Sequence, residues 1–210
     1  MMLRPSQPSL GFSGLCFLFL VLLCFGELSA QAPMQEQLSE INQKRLKINK
    51  IGMLTLGSWA LGNMAYSGLA LRQAPGADGY FYQMNIYWNI VNLALAGSGY
   101  YQAIHTDPSA LGLAESVGAH HQIKSILLLN AGLDVGYMAA GLYMRERSKN
   151  AGARADMWEG FGRSLLLQGA FLFVFDLTLY GIHQAEAPKL HKLLESIQLS
   201  PQGVGLLWQF

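Results

Sequence analysis

Ser125–Met144, SILLLNAGLDVGYMAAGLYM, runs twenty residues with one charge, Asp134. Coiled as an α-helix at 1.5 Å per residue it is about 30 Å long, the thickness of a bilayer's hydrocarbon core. Three further stretches have this character: 53–71, 84–104 and 164–182, and Asp176 is the only charge they contain. The spacing predicts an all-α fold, a membrane-embedded four-helix bundle. A water-soluble bundle is the competing reading, but each of its helices would show a charged outer face, and these do not. Composition agrees, because 51% of the 210 residues are hydrophobic and 13% charged, about half the usual share of charge.

Outward from the four spans, residues 1–30 have the layout of a signal peptide: Arg4 in a polar start, an apolar run Leu15–Phe25 too short to cross a bilayer, and Ala30 before an expected cleavage point at Gln31. The alternative is an uncleaved anchor. Both cysteines, Cys16 and Cys24, fall in this segment, so the remaining chain has no disulfide or thiolate chemistry. Residues 31–50 read as an amphipathic juxtamembrane helix with Leu38, Ile41, Arg45 and Ile48 at helical spacing. Residues 51–184 form the four-span domain. Residues 185–210 read as an amphipathic C-terminal tail whose Leu190, Leu193, Leu194 and Ile197 make a surface-lying stripe ended by Pro201.

The connections carry turn residues: Ala74-Pro75-Gly76, Thr106-Asp107-Pro108-Ser109, and Asn150-Ala151-Gly152. With a secreted N-terminus, the loops bearing Arg72 and then Arg145, Arg147, Lys149 and Arg154 face the cytoplasm, and the loop His105–Gln122, without Lys or Arg, faces outward. This predicts a multi-pass protein of the bacterial inner membrane with both mature termini outside the cytoplasm. The basic cluster Lys44, Arg45, Lys47 and Lys50 runs against that orientation. Lys50, Gly62, Met64 and Ala65 match Lys124, Gly136, Met138 and Ala139 at one offset, and Ile104-His105 matches Ile182-His183, as a tandem duplication of a helical hairpin would.

Helices associate in lipid through small residues and polar side chains, because hydrocarbon tails compete equally with leucine. Asn85, Asn89, Asn92, Ala96, Gly99 and Ala103 draw one such stripe. Gly162, Gly169, Asp176 and His183 draw another, and Gly132, Gly136 and Ala140 form a ridge on the third span. Counting depth across antiparallel neighbours puts Asn63, Asn92, Asp134 and Gln168 at one level near the bilayer centre. The expected polar layer is Asn63, Asn85, Asn89, Asn92, Asp134, Arg163, Gln168 and Asp176, with Asn85 the internal partner of Arg163. An Asp at that depth costs ~2.5–3.5 kcal/mol and needs partners or a proton; it serves either as a functional carboxylate or as a register pin.

His105, His120, His121 and His183 fall at span ends on one face. They are candidate ligands for haem or a divalent metal, the alternative to a chain without a cofactor. Tyr80, Phe81, Tyr82, Trp88, Tyr100, Tyr101 and Trp158 read as an interfacial aromatic belt. No phosphate loop, nucleophile elbow or zinc-protease motif occurs, so nothing supports an enzyme. A net charge of +1 leaves no field for nucleic acid. The expected partners are the lipid bilayer and a second copy or another membrane protein.

Tyr87-Trp88-Asn89 with Asn92 and Gly97, Asn130-Ala131-Gly132-Leu133-Asp134 with Gly141-Leu142, and Gly160-Phe161-Gly162-Arg163 with Gln168-Gly169 resemble an uncharacterised bacterial family of small four-helix integral membrane proteins. The resemblance spans Leu46 to about Leu190. It implies an integral membrane protein and carries no catalytic residue. The function expected is non-enzymatic: membrane-complex assembly, or binding of a small solute or ion at the polar layer.

Overall fold

A computed structural model describes the backbone of residues 12–195, 197–200 and 203–206, and the side chains of residues 34–195. It contains four helices, α1 (Phe12–Ala70), α2 (Gly76–His105), α3 (Leu113–Ser148) and α4 (Ala155–Glu195). A short antiparallel hairpin follows, β1 (Ile197–Ser200) on β2 (Gly203–Leu206). The start of the expected signal peptide, residues 1–11, lies outside the described residues, and its cleavage point lies inside α1 where only backbone is described. Two turn glycines, Gly76 and Gly152, take left-handed φ values of 56° and 55°, which a side chain would strain.

The helices pair as two antiparallel hairpins, α1 with α2 and α3 with α4, joined chiefly where α2 lies on α4. Glycine sets the closest approaches. A Cβ on Gly160 of α4 would fall on the carbonyl oxygen of Ala77 and stand 2.7 Å from the backbone nitrogen of Phe81 in α2. Between α3 and α4, a Cβ on Gly141 or on Gly162 would stand 2.7 Å from the other's carbonyl oxygen. The expected ridge Gly132, Gly136 and Ala140 is not at this contact. All three are exposed, and nothing approaches a Cβ on Gly132 or Gly136 within 4 Å. α3 has small residues on two faces, and the one bearing Ala131, Asp134 and Gly141 turns inward.

The bundle buries polar side chains among leucine and alanine and leaves many large apolar side chains exposed. Asn85, Asn89, Asn92, Ser164 and Gln168 are at most 3% exposed, while Leu54, Leu69, Val91, Leu129 and Val174 are 51–69% exposed. By length and hydropathy, two helical stretches among the described residues could cross a membrane, Leu113–Ser148 and Gly152–Glu195. The stripe that α2 buries carries three amides, Asn85, Asn89 and Asn92, with Ala96 and Ala103.

The terminal segments depart from surface-lying helices. Residues 34–50 run unbroken into the rest of α1, and residues 185–195 continue α4, with Ile197 already in β1. They pack on each other and on the start of α3 through Leu38, Leu190 and Leu193, flanked by Met34, Leu113 and Val117. This makes a three-helix head at one end of the bundle. Asn42 Nδ2 donates to Ser116 Oγ (2.8 Å) within it, and Gln35 Nε2 donates to the carbonyl of Ser109 (2.7 Å) in the α2–α3 loop.

Candidate functional site

The deepest amides bind three helices together. Asn85 Oδ1 on α2 accepts from Ser164 Oγ (2.7 Å) and Gln168 Nε2 (3.0 Å) on α4, and Gln168 Oε1 accepts from the Trp59 indole of α1 (3.1 Å). Asn89 Nδ2 donates to the Asn85 carbonyl (2.8 Å), and Asn92 Nδ2 to Asn89 Oδ1 (3.3 Å). Asn63 does not join this network; it is half-buried and donates to Trp59 O on its own helix. Sequence reasoning missed Ser164 and Trp59. Ser164 stands one turn before Gln168 on the same face, and that spacing could have revealed it. Trp59 stacks flat on Phe171, with centroids 3.7 Å apart.

A second cluster lies between α2, α3 and α4. Asp134 and Asp176 are 2% and 5% exposed and within hydrogen-bonding reach of each other. They line a cavity of about 180 Å³ with Asn92, Asn130, Trp88 and Tyr137. Asp134 Oδ2 is buried and has no partner among the described residues. Trp88 belongs to this wall rather than to an aromatic belt, its ring edge-on to Tyr137 at 4.7 Å. Arg163 lies outside both clusters. Its Nη1 bonds Asp78 Oδ1 at 2.7 Å, near the surface, and its guanidinium covers Phe81. The expected partner, Asn85, is already filled by Ser164 and Gln168. A cation near a helix end reaches water more cheaply than it enters a bundle.

The four histidines do not converge. His105 is exposed and stacked on Tyr101 at 3.9 Å, and His121 is exposed. His120 and His183 do meet in the head, with ring centroids 6.4 Å apart. His183 Nε2 donates to Asn49 Oδ1 at 2.8 Å. Among the described residues no group of three or more His, Cys, Asp or Glu side chains is placed to hold a metal.

Burial holds the His183 imidazole down to about 4, helped by the nearby His120, Arg45 and Lys124. Burial also lowers His120, with Lys124, His121, Arg45 and His191 adding to it. Both rings are therefore neutral in the folded chain at pH 7. Below the ordinary value of 6.5 the unfolded chain binds protons that the folded head refuses, so this contribution to stability is lost as pH falls from 6.5 toward about 4. Thermal unfolding at about pH 5 should therefore begin earlier than at about pH 7.5. His183→Gln should shrink that difference, and an unchanged difference would contradict it.

Fold and site define a class: an all-helical bundle that turns amides and carboxyls inward and leaves much of its leucine and valine exposed. The chain belongs to a family of unknown function (DUF6992), whose model matches residues 55–177. That range holds every residue of the expected polar layer and leaves Arg45, Asn49 and His183 of the head outside it. No curated protein and no solved structure matches the chain.

Proposed function

We propose that this chain is a multi-pass membrane protein with no catalytic chemistry of its own, whose interior carboxyl pair takes up and releases a proton or a small cation. The single observation that carries the reading is the buried polar seam beneath an exposed leucine and valine surface, with Asp134 and Asp176 buried within reach of each other. A surface of leucine and valine is costly in water and neutral in hydrocarbon. Buried carboxyls with amide neighbours are what a bundle needs in order to hold a charge or a proton away from water. In this reading the chain crosses the bacterial inner membrane at 53–71, 84–104, 125–144 and 164–182. A cleaved leader, residues 1–30, places both mature ends outside the cytoplasm. The head then stands on the outer side, and Arg145, Arg147, Lys149 and Arg154 at the opposite end follow the positive-inside rule.

Two measurements test it. The chain should stay with the membrane fraction through an alkaline carbonate wash, and release into the aqueous phase would end the membrane reading. Two buried carboxyls within reach of each other can hold a proton between them, so infrared spectra near neutral pH should show a protonated-acid carbonyl band. That band should vanish in Asp134→Asn/Asp176→Asn, and proton movement into vesicles carrying the protein should vanish with it. An unchanged band and unchanged flux would assign the pair no part in binding.

A further inference from the structure

The head holds a cluster that the polar layer does not use. Arg45 of α1, His120 of α3 and His183 of α4 line one cavity of about 140 Å³. His183 is wholly buried and His120 is 5% exposed. Yet His183 Nδ1, His120 Nε2 and Arg45 Nε are all shut off from solvent with no hydrogen-bond partner among the described residues. Arg45 Nε and His120 Nε2 can donate there, and His183 Nδ1, whose ring already donates from Nε2 to Asn49, can join them once protonated beside an anion, so the cavity suits a guest with several acceptor oxygens. Arg45 is in no ion pair among the described residues, and its nearest polar contact is a 3.4 Å bond from Nη2 to Asn42 Oδ1.

The charge of the cavity selects the guest. Lys44 and Lys189 stand at its edge, both bonded to Glu186 (2.7 and 2.9 Å), and Glu40 is the other carboxylate on the wall. With Arg45 the cations outnumber the carboxylates, and the two imidazoles can each accept a proton beside an anion. A metal ion would meet the guanidinium head-on; a phosphate would be bonded by it.

Ile48 lines this cavity and also an apolar groove of about 370 Å³ between α1 and α4, walled by Ile51, Thr55, Phe171, Val174 and Ile182. A cationic chamber that shares the wall residue Ile48 with an apolar groove offers places for a headgroup and for its tail. We propose that the α1–α4 face binds one anionic phospholipid, its phosphate among Arg45, His120 and His183 and one acyl chain along the groove. This rests on the membrane reading above. Bulk lipid solvates an acyl chain as well as the groove does, so affinity comes from the phosphate contacts and the groove sets orientation.

The test is native mass spectrometry of the full chain taken from membranes into nanodiscs of phosphatidylglycerol or phosphatidylcholine. One phosphatidylglycerol should stay bound per chain and phosphatidylcholine should be lost. Arg45→Gln should lower retention about tenfold, the loss of one charge-assisted bond, while Arg45→Lys keeps much of it. Should Arg45→Gln fail to fold, a photoactivatable phosphatidylglycerol on the wild-type chain decides, with crosslinks expected on α1 and α4 at the groove. Equal retention of both lipids, crosslinks elsewhere, or binding of inorganic phosphate without lipid would overturn the proposal. A chain recovered without detergent in the aqueous phase would instead sink the membrane reading itself; a membrane-bound chain with no lipid adduct sinks only this inference.

Discussion

Gly160→Val is expected to part α4 from α2 and to cost about 3 kcal/mol or more, the upper range for overpacking. The reason is that the obstacle is backbone. The first carbon of any side chain here would fall on the carbonyl oxygen of Ala77 and crowd the amide of Phe81, and neither can rotate away as a flexible side chain would. α2 must then lift from α4, and the bonds from Ser164 and Gln168 to Asn85 lengthen with it, so buried amides lose partners as well as packing. Unfolding by SDS titration in mixed micelles, followed by helical circular dichroism, gives the measurement. Gly97→Ala is the control, because nothing lies within 4 Å of its added methyl, and it should stay within about 0.5 kcal/mol of wild type. Identical curves for the two variants would mean that α2 and α4 do not approach as described.

The inward face of α2 was largely legible in the sequence. Of the stripe Asn85, Asn89, Asn92, Ala96, Gly99 and Ala103, all but the half-buried Gly99 are the buried residues of that helix. The sevenfold recurrence of Gly162, Gly169, Asp176 and His183 was equally plain, and all four are buried. On α3 periodicity offered two small-residue faces and no means of choosing between them, since the choice depends on what the neighbouring helices present. Gln168 bonds Asn85 on α2, and its neighbour Gly169 lies against the backbone of Asp134 on α3. The head itself was hidden, since Leu38, Val117 and Leu190 are far apart in the chain and each resembles an interfacial stripe until the three are brought together.

Asp134→Leu should destabilise the bundle by about 1–3 kcal/mol, the cost of leaving the carboxyl of Asp176 buried without its partner. Asp134→Leu/Asp176→Leu should recover much of that loss, because a buried polar pair replaced on both sides by apolar groups is often neutral or stabilising. The adjoining cavity of about 180 Å³ has room for the added methyls. The double variant separates two roles that a single variant confounds. If the carboxyls serve binding, the double-leucine protein unfolds at nearly the wild-type SDS fraction but shows neither the protonated-acid band nor proton movement. If they serve only to set helix register, the double variant is as unstable as the single one and its α3–α4 packing changes. Cysteine crosslinking with a short bifunctional reagent between positions 124 and 184, whose side chains meet across α3 and α4, reads the register directly: unchanged crosslinking with lost proton movement supports a binding role, and lost crosslinking makes the pair structural.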